Sequence, residues 1–102
     1  MGKIVSVMLD PEILEQLNNY SKKHYIPQRI LVKKAINEFG DLLESGKYSI
    51  KHGDFDRLIT ESFNCSIDEL QNSKLIKYAQ NYDVSKRFLL RDIVTEYVLK
   101  NL

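Results

Sequence analysis

Over Ile4 to Leu9 an aliphatic residue recurs at every second position, Val5, Val7 and Leu9. Val5, Val7 and Leu9 fall on one face and Ile4, Ser6 and Met8 on the other, the period of a half-buried strand. Asp10-Pro11-Glu12 follows, with an acid suited to cap a helix, a proline at its first position and a second acid in its first turn. Ile13, Leu14, Leu17 and Tyr20 then recur at helical spacing. After a break at Tyr25-Ile26-Pro27, a second helical stripe carries Ile30, Leu31, Ala35, Ile36 and Phe39. Gly40 to Lys47 reads as the end of that helix.

The same beat returns 58 positions later. Phe63, Cys65 and Ile67 alternate with Ser62, Asn64 and Ser66. A helical stripe of Leu70, Leu75, Tyr78, Ala79 and Tyr82 follows, then a break at Asp83-Val84-Ser85. A last stripe runs through Phe88, Leu89, Ile93, Val94 and Tyr97. At this offset Asp10, Leu17, Tyr20, Arg29, Leu31 and Glu38 fall on identical residues without a gap, and conservative matches lie between them. Self-similarity at a fixed period predicts an internal duplication. The expected fold is a mostly helical α+β unit, residues 1–102, with two strand-helix-helix motifs around a pseudo-two-fold axis. The motifs would span 3–44 and 61–102, joined by a linker over 45–60. A competing pattern exists, because Phe55, Leu58, Ile59 and Phe63 also sit at helical spacing and Ser66 with Glu69 resembles a capping box. A short helix over 54–63 in place of the second strand stays open at this point.

Composition narrows the function classes. The chain has 102 residues, a formal net charge of +1 and a single cysteine. Any basic patch must therefore be local, and no disulfide can form within the chain. No apolar run approaches a membrane span, and the run at the N-terminus is too short for the core of a signal peptide. A soluble, cytoplasmic protein without a membrane partner is expected. No carboxylate pair, activated nucleophile or cofactor loop is evident, so neither an enzyme nor a cofactor is expected. His24 and His52 lack a ligand set around them, so no metal is expected either.

KIVSVMLDPEILEQL followed by IPQRILVKKAINEF resembles the ribbon-helix-helix repressors, over residues 3–44 and again, more distantly, over 61–99. The chain is also similar to small proteins of filamentous viruses that infect archaea, in which case it would work in the host cytoplasm. The ribbon-helix-helix resemblance implies that two strands pair antiparallel into a ribbon that enters the DNA major groove. It also implies that this chain is both partners of such a dimer fused in one, with FNCSID as the second strand. Ile4, Ser6, Met8, Ser62, Asn64 and Ser66 would then face bases, and Arg29, Ser85, Lys86 and Arg87 would meet phosphates at the second-helix N-termini. Of the six strand residues only Asn64 suits paired hydrogen bonding to a base edge, and none is cationic. That composition opens a second expectation, a protein or peptide partner held in the groove between the motifs or along a strand edge, with no DNA binding.

Overall fold

The computed structural model describes residues 3–47 and 61–102. In chain order the elements are β1 (Lys3–Leu9), α1 (Pro11–His24), α2 (Gln28–Glu44), β2 (Glu61–Ile67), α3 (Glu69–Asn81) and α4 (Lys86–Asn101). Residues 48–60, most of the expected linker and most of the alternative helix, lie outside the described residues. The last three positions of that alternative, 61–63, are strand.

β1 and β2 form an antiparallel two-stranded sheet in which Lys3 faces Ile67 and Leu9 faces Glu61. Both strands show the same alternation. Val5, Val7 and Leu9, with Phe63, Cys65 and Ile67, are buried against the helices, while the residues between them face out. A slip of one residue would turn every one of these side chains over, so the apolar face fixes the register. At the centre of the ribbon Ser6 faces Asn64, and these two residues stand 58 apart in the chain.

Helix boundaries follow from local chemistry. Asp10 caps α1 by accepting from the Glu12 N–H at 2.8 Å, and Asp68 caps α3 by accepting from the Gln71 N–H at 2.7 Å. α1 ends at Tyr25, in the left-handed region at φ 55°. Asp83 takes the same φ just beyond α3. At both ends the next residue closes back on the helix, Ile26 N–H to the Ser21 carbonyl and Val84 N–H to the Ala79 carbonyl, each at 3.0 Å. These bonds satisfy carbonyls that a helix terminus otherwise leaves open. Gly46, at φ +74°, follows the end of α2.

One core joins all six elements. Leu17, Leu31, Ile36, Leu75, Leu89 and Val94 are fully buried in it, beside both strands. The C-terminal end of α2 is tied to α3 by two phenols. Tyr78 donates to Glu44 Oε1 at 3.1 Å, and Tyr82 donates to the Leu43 carbonyl at 3.2 Å. Gly40 lets the Tyr78 ring lie directly on α2. Leu70 departs from the expected stripe, being 63% exposed in the first turn of α3. The inward positions of that turn belong to Gln71 and Asn72, both buried.

Candidate binding face: the ribbon and its two flanking clefts

The outer face of the ribbon gathers the six outward residues expected from the alternation. Ile4 and Met8 are 79% and 43% exposed. Ser6, Ser62, Asn64 and Ser66 are also exposed. Ser6 Oγ donates to Asn64 Oδ1 at 2.5 Å across the ribbon, which engages one of the two lone pairs of that carbonyl oxygen. A bidentate grip on adenine would share the oxygen with Ser6. Among these six residues there is no cation, and Glu61 places an acid at one end of the ribbon.

α4 runs beside β1 and α2 beside β2, so each outer edge of the ribbon meets the start of a helix. The meeting lines make two clefts. The larger, about 350 Å³, lies between β1 and α4 and is lined by Ser6, Val7, Met8, Ser62, Ser85, Arg87, Phe88 and Arg91. The smaller, about 200 Å³, lies between the end of β2 and α2 and is lined by Arg29, Ile30, Lys33, Ser66, Ile67, Asp68 and Gln71.

Their chemistry differs. At the α4 cleft Ser85 caps the helix, its Oγ accepting from the Phe88 N–H at 3.0 Å. Arg87 is exposed at the rim. Arg91 lies over the Phe88 ring, 5.0 Å from its centroid, adding a cation–π contact to an apolar floor. Lys86, expected beside Arg87, does not line this cleft; it turns towards α3 and donates to Asn72 Oδ1 at 2.8 Å. At the α2 cleft Pro27 precedes the helix and no side chain caps it. Lys33 sits 3.6 Å from Asp68, and both are about half exposed, which offsets charge locally and contributes little stability.

Three cleft residues were not singled out by the sequence. Arg91 and Lys33 lie four positions after Arg87 and Arg29, so helical spacing alone places each pair on one face. Gln71 carries no such mark, since a polar residue in a first helical turn is ordinary. Cys65 lies under the ribbon, where burial pushes its thiol up to about 11, so it is a neutral core side chain at neutral pH. Among the described residues no helix is long and apolar enough to cross a membrane, and no group of His, Cys, Asp and Glu could hold a metal ion. No family model, curated protein or solved structure matches the chain.

Proposed function

We propose that this chain is a fused pseudo-dimer of the ribbon-helix-helix type that serves as a protein-interaction module, taking an extended segment of a partner protein along the ribbon and into the α4 cleft. The pseudo-dimer reading is supported by the register. Ser6 faces Asn64 at the same 58-residue separation that aligns the two halves of the sequence, so a two-fold axis would pass between them. The function rests on one observation: the outward face of the ribbon is apolar and small, with Ile4 and Met8 exposed and its one base-reading amide engaged by Ser6.

The larger cleft supplies what an extended peptide needs. The β1 edge away from β2 has no strand on it among the described residues, and where the cleft opens between Ser6–Met8 and α4 its backbone is offered to an extended segment. Val7, Met8 and Phe88 offer apolar contact, and methionine adapts to varied side chains. Arg87 and Arg91 favour an acidic residue in the segment. The role is binding rather than catalysis, and a cytoplasmic setting is supported only by the single cysteine, which forms no disulfide within the chain.

A second reading, weak DNA binding, is favoured by one feature. The Ser85-capped start of α4 with Arg87 beside it is a competent phosphate contact. The two readings separate on salt. Linear peptides selected from a displayed library should bind with a shallow salt dependence, and Met8→Asp should abolish that binding. Labelled duplex DNA should show no binding at micromolar protein in about 50 mM salt. DNA bound with a log K against log[salt] slope of about −2 to −4, made shallower by Arg87→Ala, would overturn the interaction module in favour of DNA.

A further inference from the structure

Tyr25 is placed against two preferences at once. It holds a left-handed backbone, φ 55° and ψ 38°, at the C-terminal cap of α1. That conformation suits glycine or asparagine and is uncommon for a bulky side chain, whose Cβ crowds the following carbonyl. The ring gains no packing in return, since the residue is 92% exposed. At the matched position 58 residues later, Asp83 takes the same φ with a residue that tolerates it. A backbone outlier that no packing of its own side chain favours points to a role outside the fold.

The corner that carries the ring is firm. The N–H groups of Tyr25 and Ile26 both donate to the Ser21 carbonyl, and Ser21 Oγ donates to the Ile26 carbonyl at 2.5 Å. Pro27 then fixes the entry into α2. Little backbone freedom is therefore lost when a partner meets the ring, and tyrosine is among the residues that most often anchor protein interfaces.

The charge around the corner narrows the partner. From Gln16 to Asn37 the chain has no Asp or Glu and carries Lys22, Lys23, Arg29, Lys33 and Lys34. All five are exposed, and Asp68 offsets Lys33. The matching stretch, Lys74 to Thr95, includes the acids Asp83 and Asp92. On a chain of net charge +1 the first corner is thus strongly positive. A second copy does not fit. Its apolar cleft beside Phe88 has room for a tyrosine ring, but Arg87 and Arg91 in that cleft would meet Lys22 and Lys23. A single nucleic-acid strand is held in a groove that tracks its backbone, whereas this ring projects from a corner.

We infer that the α1–α2 corner is an interaction surface for an acidic protein segment, with Tyr25 as its anchor. The ring packs against apolar side chains of that segment, and Lys22 and Lys23 pair with its carboxylates. Tyr25 lines neither the ribbon face nor the α4 cleft, so this surface stands apart from both.

A displayed library of linear dodecamers is selected on the full chain and counter-selected on the full chain carrying Tyr25→Gly. Peptides of the ribbon site bind Tyr25→Gly as well and are removed by the second step. Affinities of the survivors are read by fluorescence anisotropy, beside urea midpoints for every variant. Glycine relieves the backbone, so Tyr25→Gly should raise the midpoint by about 0.5 M. The survivors should carry a surplus of Asp and Glu and bind Tyr25→Gly at least about tenfold more weakly, the loss of an interface anchor. Tyr25→Phe keeps the ring and should bind within about threefold of the wild type. Lys22→Ala with Lys23→Ala should weaken binding about fivefold and make it less sensitive to salt. A lowered midpoint for Tyr25→Gly would mean that the ring supports the fold, and a selection without survivors that it serves no partner. Either result overturns the surface and leaves the ribbon site untouched. Survivors without surplus acid, or a single-stranded dodecanucleotide bound through Tyr25 in place of peptides, would overturn the acidic partner.

Discussion

Gly40→Ala sets two effects of known size against each other. Alanine in a helix interior is favoured over glycine by about 1 kcal/mol. The added Cβ, however, would lie 3.1 Å from both Cε2 and Oη of Tyr78 and 3.4 Å from its Cζ. Relief requires the ring to move by a few tenths of an ångström. Tyr78 is buried, and its hydroxyl is held by Glu44 at 3.1 Å, so the ring has little freedom to give. Burial first, and then that carboxylate, raise the phenol pKa above its ordinary value, so the hydroxyl stays protonated and the bond persists at neutral pH. Overpacking of this kind costs about 1–3 kcal/mol, so the clash should win and Gly40→Ala should destabilise the protein by about 1 kcal/mol. Urea denaturation of the single mutants and of Gly40→Ala with Tyr78→Phe forms a double-mutant cycle. Phenylalanine removes the Oη contact and the tether to Glu44, so the alanine should cost at least about 0.5 kcal/mol less in that background. A stabilisation of about 0.5 kcal/mol or more by Gly40→Ala alone would refute the close-packed α2–α3 junction.

Leu31→Ala and Leu89→Ala, matched positions that are both fully buried, should each cost about 2–5 kcal/mol in chemical denaturation, and a loss under about 1 kcal/mol in both would mean the helical stripes are misassigned. Residues 1–46 and 47–102 expressed separately should not fold as monomers, because each strand would lack its partner; far-ultraviolet circular dichroism with sedimentation checks this. Cys65 should resist a thiol reagent at pH 8 until denaturant is added. Its thiol ionises near 9 when unfolded and near 11 when folded, so the unfolded state loses its proton first. Stability is therefore undiminished by this group below about pH 9 and falls as pH rises towards 11, which denaturation midpoints across that window in wild type and Cys65→Ala would reveal.

The strands were legible because alternation is a strong pattern when one face is buried: Val5, Val7 and Leu9 in one strand predict Phe63, Cys65 and Ile67 in the other. The start of α1 was legible from Asp10, and Asp68, its match 58 positions later, caps α3 in the same way, where Ser66 with Glu69 had resembled a capping box; Ser85, at the second break, caps α4. Leu70 misled because apolar character in a first turn does not say which way the turn faces, and the inward places went to Gln71 and Asn72. Those two are tolerated inside only through partners on other elements, Asn37 and Lys86, which no local pattern reveals. Lys86 misled for the same reason, since its spacing beside Arg87 is that of an anion site while its amine is drawn to Asn72. The clefts themselves could not be read from the chain, because each is made by a strand and a helix distant in sequence.

The pairing of β1 with β2 inside one chain has a consequence for change over generations. In a ribbon built from two identical chains every substitution appears twice, so a residue useful on one side must also be tolerated on the other. Joining the halves lifts that constraint, and it also keeps the ribbon assembled at any dilution, since the second strand is always within reach. On the proposed duplication, the Ile13 position can then stay a plain core residue while its counterpart becomes Gln71. A platform of this kind acquires a direction, and on the proposed interaction function a segment lying across it has one way round to bind.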